Sequence, residues 1–201
     1  MSEVFDLSKN YVLEDSCVLL QPLVVEDCKN LLVFALEQPE IWKYSTTVVA
    51  GEQPFRHYIQ TALDARKAGK EYAFSVFDKR TQQYAGSTRF YDIQIANQTL
   101  QLGYTWYGKQ FQGTGLNRHC KFLLLQFAFE EIGMLRVEFR ADATNARSIA
   151  AMKSIGCVEE GILRQHLPKP DGTRRDSIVL SILQQEWERG VKERLKERLS
   201  L

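Results

Sequence analysis

The spacing of apolar residues changes several times along the chain, and each change marks an element. Cys17-Val18-Leu19-Leu20-Gln21-Pro22 is a short β-rich run closed by proline and reads as a strand. Glu26 and Asp27 then introduce Leu31, Leu32, Phe34, Ala35 and Leu36, an apolar patch at helical spacing. That helix is expected to stop at Gln38, because a residue before proline avoids the helical region. Phe55, Tyr58, Ile59, Ala62 and Leu63 repeat the helical period between Gly51 and Gly69. Residues 72–77 are β-rich, and the polar cluster 78–83 reads as the turn of a hairpin. The returning strand covers 84–95 with a bend at Gly86. A further strand covers 100–107, with Leu100, Leu102, Tyr104 and Trp106 expected on one face.

Helix resumes after Gly115 and runs to about Gly133, with Phe122, Leu123, Leu125, Phe127 and Phe129 in it. It is apolar nearly all round and should be buried on several sides. Residues 136–140 alternate as a strand. Asn145 opens a short helix that Gly156 ends. A strand at 157–163, a turn at Pro170-Asp171-Gly172-Thr173 and a last apolar strand at 177–183 follow. In the charged tail, Trp187, Val191, Leu195 and Leu199 recur every four residues. This stripe suits a terminal helix docked on the domain; a subunit contact, and hence a homodimer, is the alternative. The order β-α-α-β-β-β-α-β-α-β-β-α predicts a mixed α/β fold with helices on the faces of a sheet.

Composition narrows the picture. The 201 residues are 44% hydrophobic and 25% charged, with net charge +1. That suits a single domain over 1–201, with a core at about 17–187 and a charged C-terminal helix at 188–201. No sequence-wide basic field exists for gripping nucleic acid, so no nucleic-acid partner is expected. No apolar run of about 18 residues exists, so no membrane partner is expected either. The start, Met1-Ser2-Glu3-Val4-Phe5-Asp6, has acids where a secretory signal has a basic region. Cys17, Cys28, Cys120 and Cys157 are far apart and form no C-x-x-C pair. They are read as reduced thiols of a cytoplasmic protein, and no metal is expected.

The chemistry concentrates in Gln110-Phe111-Gln112-Gly113-Thr114-Gly115, between a strand and a long helix. Glycines there let backbone N–H groups close on an anion, and the helix N-terminus adds a favourable dipole. The P-loop pattern fails, because no lysine followed by serine or threonine stands at the required spacing. The dinucleotide fingerprint fails because Arg118 occupies the place of its third glycine. On this loop alone, a phosphate site and a bare turn remain open.

Gln110-x-x-Gly113-x-Gly115 matches the Q/R-x-x-G-x-G/A signature of the GNAT acyl-CoA N-acyltransferases, and the element order resembles that fold. The likeness continues through 127–133, Asn145-Ala146-Arg147-Ser148, 155–164, Asp171-Gly172 and 181–187. It is similar to the branch that includes the ribosomal-protein N-terminal acetyltransferases and covers about 17–187. The resemblance implies a mostly antiparallel twisted sheet, splayed at its middle, with acetyl-CoA as cosubstrate. Gln110, Gln112, Gly113, Thr114, Gly115 and Leu116 would then hold the CoA pyrophosphate, with Asn117 and Arg118 following in the helix. The pantetheine arm would lie in the splay. A backbone N–H among Tyr104, Thr105 and Trp106 would polarise the thioester carbonyl. Asn145 would bond the pantetheine, and Ser148 would donate a proton to the departing thiolate. Arg118, Lys121 and Lys153 are candidates for the outer phosphate.

Taken by themselves, several of these residues have plainer readings. Asn145 is a good N-cap with Ser148 at N3. Glu138 belongs to an alternating strand, facing solvent, and is a weak candidate base beside Asp92. His57, His119 and His166 have no carboxylate or cysteine at a telling spacing. Where family members carry a glutamate base on the strand before the loop, this chain has Gln101, which accepts no proton. Neutralising a lysine at pH 7.4 costs roughly 4 kcal/mol, whereas an α-amine costs well under about 1 kcal/mol. An amine acceptor of low pKa is therefore expected, either a protein or peptide N-terminus or a small molecule. Trp42, Tyr44, Tyr58, Tyr72, Arg89 and Tyr91 are expected to line its pocket. Gln101 also favours an alternative, a non-catalytic acyl-CoA-binding module. A helix-turn-helix DNA binder is opposed by the near-neutral charge and by the strands around the loop.

Overall fold

The computed structural model describes residues 5–199. Positions 1–4 and 200–201 of the expected domain, and most of the acidic start, lie outside the described residues. A two-stranded start, β1 (Leu13–Glu14) and β2 (Val18–Pro22), precedes α1 (Asp27–Glu37) and α2 (Glu52–Lys67). Then come β3 (Tyr72–Asp78), β4 (Gln83–Gln94), β5 (Thr99–Tyr107), α3 (Leu116–Gln126) and β6 (Arg136–Asp142). The chain closes with α4 (Ala146–Ser154), β7 (Val158–Pro168) and β8 (Arg174–Leu183). After them α5 (Gln184–Glu186) runs through a π turn at Trp187–Val191 into α6 (Lys192–Glu197).

The eight strands form one sheet in the order β1-β2-β3-β4-β5-β6-β8-β7, antiparallel except where β5 meets β6. Helices cover both faces, as the period changes in the sequence predict. On one face, Phe34 of α1 and Phe55 of α2 pack edge-on against Trp106 of β5. On the other, Phe127 at the end of α3 stacks on Phe90 of β4 and meets Phe5 and Tyr11 of the N-terminal arm. Tyr72 joins this second cluster and donates its hydroxyl to the Lys9 carbonyl. It therefore lies across the sheet from Tyr58, and its expected place in an acceptor pocket is corrected. No helix among the described residues is long and apolar enough to cross a membrane.

Two expectations from periodicity fail, both at backbone irregularities. Leu102 pairs with Phe90, on the α3 face, whereas Trp106 faces α1 and α2. The alternation breaks because Tyr104 adopts φ 48°, so the four residues do not share a face. The helix after Gly115 is regular only to Gln126 and widens into a π turn over Phe127–Glu131. The C-terminal stripe docks on the domain, but not as one continuous helix, because Gly190 adopts φ 144° and kinks it. Trp187, Val191 and Leu195 are buried, and Trp187 packs on Phe122 and Phe129 while its indole N–H donates to Glu130 at 2.8 Å.

Candidate active site

The sheet opens at its centre. β5 and β6 pair in parallel only at Thr99↔Arg136, Leu100↔Val137 and Gln101↔Glu138, and no pairs follow. The β6-facing edge of residues 102–107 is left without a strand partner. The parting begins where β5 bulges: Gly103 pairs with Arg89 and Trp106 with Ser87, so Tyr104 and Thr105 oppose Thr88 alone. A bulge bends its strand and re-aims its backbone. Tyrosine at positive φ costs on the order of 1 kcal/mol, and such strain clusters at functional sites.

The glycine loop closes one end of this opening. Gly108 starts it beneath Phe34, where an added Cβ would stand 2.2 Å from the ring. Gln38, at the end of α1, accepts from the Lys109 N–H at 2.7 Å and donates to Gln110 Oε1. The Gln112 amide donates to the Tyr107 carbonyl at 2.8 Å and accepts from Arg147. Thr114 Oγ1 donates to the Phe111 carbonyl and Arg80 donates to the Thr114 carbonyl, which fixes the turn. Gly113 and Gly115 adopt φ 76° and 87°, with open space where a Cβ would be. Among the described residues the Gly113, Thr114 and Gly115 N–H groups have no protein acceptor. Asn117 accepts from the Tyr107 hydroxyl. Arg118 donates to the Arg198 carbonyl.

The far bank is β6 and α4. Asn145 caps α4, its Oδ1 accepting from the Ser148 N–H at 3.1 Å. The Ser148 hydroxyl and the Asn145 side-chain amide nitrogen have no partner among the described residues. Buried Asp142 holds the turn before α4 through Thr144 and Lys169.

The candidate bases are placed differently from the sequence expectation. Glu138 is only 15% exposed, and its two oxygens accept from Arg136 and Arg140 at 2.8 and 2.6 Å. It is not a free solvent-facing carboxylate. Gln101 donates to Asp92 Oδ2 at 2.8 Å and keeps a buried Oε1 without a donor. His119 and His166 have partners that lie far away in sequence. His119 bonds Asp15 at 2.6 Å, within a group in which Asp15, Cys17 and His119 present ligand atoms within 4.8 Å of one another. His166 accepts from Arg140, so its Nδ1–H donates to Ser177. Burial and the Arg140 charge push its imidazole below the usual histidine range.

Two side chains proved more informative than their sequence patterns. Lys121 is not a surface cation for a phosphate. It is 5% exposed, with Nζ 2.8 Å from Thr105 Oγ1, and burial pushes it down to about 8. Lys153 is paired to Glu159 at 2.7 Å. On the opposite face of the sheet, Trp42, Tyr58, Arg89 and Trp106 pack together, with Tyr91 against Tyr104 beside them, while Tyr44 lies under the Lys43 ammonium.

A profile of the acetyltransferase (GNAT) domain matches residues 18–158. The chain belongs to the GNAT acetyltransferase family. It is an N-acetyltransferase, as its relatives are named. "Uncharacterized N-acetyltransferase p20" of Bacillus licheniformis is 27% identical over 169 residues, 84% of this chain and 93% of that protein. "Putative ribosomal N-acetyltransferase YdaF" of Bacillus subtilis is 33% identical over 103 residues, 51% of this chain and 55% of that protein. It extends the likeness to the ribosomal branch that the motifs indicate. An acetyltransferase structure from T. thermophilus superposes with TM-score 0.83 at 32% identity, covering 94% of this chain and 96% of the other. The fold is also that of Mycobacterium smegmatis RimJ in complex with CoA-disulfide, with TM-score 0.78, 19% identity and coverage of 94% and 93%.

Proposed function

We propose that this N-acetyltransferase takes its acetyl group from acetyl-CoA and delivers it to an α-amino group of a peptide or small molecule by direct attack in a ternary complex. The observation that carries the reading is the unpaired β5 edge after Gln101, bulged at Tyr104, leading to free amides at Gly113–Gly115. An extended amide-bearing arm pairs with such an edge as a strand does. A pyrophosphate fits free N–H groups at the start of an 11-residue helix. Acetyl-CoA would supply an activated thioester there.

The chain's own residues then do the following. Gln112 and Thr114 shape the loop, and Gly113 and Gly115 let its amides approach an anion. Bulged backbone amides at 104–106 donate to a carbonyl oxygen. Asn145 offers its amide nitrogen along the opposite bank, and the Ser148 hydroxyl is free to give a proton to a thiolate. No unpaired carboxylate stands where Gln101 and Glu138 do, so the acceptor must arrive close to neutral. An α-amine titrating at about 7.7–8.0 meets that condition and a lysine does not.

Thermal melts with acetyl-CoA, against ATP and NAD, test the cosubstrate. Ligand at one hundred times Kd adds about 2.7 kcal/mol, and no shift at millimolar acetyl-CoA rejects the reading. Thiol release with free N-termini, lysine side chains and small amines tests the acceptor. Preferential turnover of lysine side chains rejects the α-amine.

A further inference from the structure

Among the described residues, four buried side-chain nitrogens without an acceptor lie on the acceptor side of the sheet: Trp42 Nε1, Trp106 Nε1, and Arg89 Nε and Nη2. They are close neighbours. The two indoles are 4.6 Å apart between ring centroids, and Tyr58 touches both Trp42, at 5.8 Å, and the Arg89 guanidinium, at 5.0 Å. Buried polar groups are almost always paired, because each unpaired one costs its desolvation. Arg89 is 3% exposed, and its two idle buried donors point to a missing partner. Those two donors, Nε–H and the adjacent Nη2–H, are one complete edge of the guanidinium, the fork that matches two carboxylate oxygens. The third corner is occupied, since Nη1 donates to Glu71 at 2.6 Å.

The surroundings favour an anion. Arg175 makes no ion pair among the described residues; it donates to Ser177 at 2.8 Å and lies within electrostatic reach of Tyr91, Tyr104 and the Asp142 carboxylate. Among the described residues, Arg140 pairs with one carboxylate, Glu138, which it shares with Arg136. Arg89 stands opposite Gly103 in the ladder, and Tyr104, 47% exposed, lies 4.2 Å over its guanidinium. The fork is therefore beside the bulge where acetyl transfer is proposed, under the half-exposed Tyr104 ring.

We infer that Arg89, with Trp42 and Trp106, forms a carboxylate-binding subsite, so that the preferred acceptor is an amine carrying a carboxylate a few bonds from its nitrogen. This rests on the acetyl-transfer reading above. The carboxylate has two sources, the side chain of an acidic N-terminal residue in a peptide or the α-carboxylate of a free amino acid. One free fork on one guanidinium takes a monoanion in two parallel bonds.

Matched pairs separate the possibilities: a peptide beginning with Glu against its Gln twin, and glutamate against its α-amide. Binding is read calorimetrically in the presence of CoA, and turnover by thiol release with acetyl-CoA. At least one carboxylate partner should bind about tenfold more tightly than its amide, the scale of a charge-assisted pair. Arg89→Gln should abolish that preference, and Arg89→Lys, which keeps the charge but loses the fork, should retain only a small part of it, with a cooperative melt of each variant showing that it is folded. Trp106→Phe should weaken it without a change in melting behaviour of the size expected for a lost core residue. Equal binding of both pairs by the native chain overturns the subsite, whether or not either is acetylated. Preferential binding of the carboxylate partner without turnover upholds the subsite and strikes the acetyl-transfer reading instead.

Discussion

Lys121 Nζ lies 2.8 Å from Thr105 Oγ1, so the bulged segment of β5 is held from behind by a buried ammonium on α3. Thr88 Oγ1 closes the group, 2.8 Å from Thr105 Oγ1 and 3.5 Å from Nζ. The cation sits on the α3 face while the proposed acceptor site is on the α1/α2 face. The two sides of the bulge thus carry different chemistry, anchoring on one and binding on the other.

Burial lowers Lys121 to about 8, against about 10.4 in an unfolded chain. Between those values the unfolded chain binds a proton that the folded chain does not, so this group raises stability as pH climbs through that window. Below about pH 8 both states are charged and the folded state bears the whole desolvation cost. Lys121→Met should therefore stabilise the protein at pH 7, by up to about 3 kcal/mol, leaving Thr88 and Thr105 bonded to each other. Melts of native and variant chains from pH 7 to 10.5 should show the gap closing as pH rises. A variant that melts lower than the native chain at pH 7 contradicts this account.

Acid should act through Glu160. Arg136 donates to both of its oxygens and Ser181 adds a third bond, holding the carboxyl down at about 2. A depressed folded value contributes stability above the ordinary range near 4.5 and loses it as pH falls toward 2. Because Glu160 is 37% exposed, water screens the pair and the contribution is small. Glu160→Gln should lower the melting temperature slightly at pH 7 and match the native chain at pH 2. A difference that persists at pH 2 assigns the effect to packing.

Gly108 is fixed by a neighbour rather than by its own backbone. Its φ is −54°, which any residue adopts, but a Cβ there meets the Phe34 ring at 2.2 Å. Gly108→Ala should cost about 1–3 kcal/mol, the usual range for overpacking. Combining it with Phe34→Leu should recover part of that loss, because the two residues are in contact and their effects are not additive. Denaturant unfolding of both single variants and the pair measures the coupling, and simple additivity contradicts the contact.

How far the sequence reaches is clear from particular residues. Helices α1 and α2 and the hairpin of β3 and β4 follow from apolar spacing and from Gln38-Pro39, Gly51 and Gly69, all local signals. The mixed sheet with helices on both faces follows from element order. The glycine loop is legible because its conformation demands glycine. The Tyr104 bulge is not, since a tyrosine at positive φ leaves no mark in composition and an alternating pattern continues through it. Lys121 is misread for a similar reason: at helical spacing a lysine looks like a solvated residue, and only the splay of β5 from β6 gives its ammonium somewhere to go. The partners of His119 and Arg89 lie 104 and 18 residues away, distances over which spacing carries no chemical information.

Gly113 and Gly115 separate binding from folding. An alanine at either position meets nothing within 4 Å, so the only structural penalty is the left-handed backbone. That costs roughly 1–2 kcal/mol per residue, a melting shift of a few degrees in a chain this size. Neither alanine touches the core, the bulge or the acceptor face. The free amides of residues 113–115 would nevertheless be displaced or shielded by the new methyl groups, at the point where a pyrophosphate is proposed to sit. Gly113→Ala and Gly115→Ala should therefore keep the fold, seen as native circular dichroism and a cooperative melt, yet weaken acetyl-CoA binding by about tenfold or more, the equivalent of one or two lost charge-assisted hydrogen bonds. Calorimetric titration with acetyl-CoA decides it. Unchanged affinity in both variants would move the pyrophosphate away from this loop.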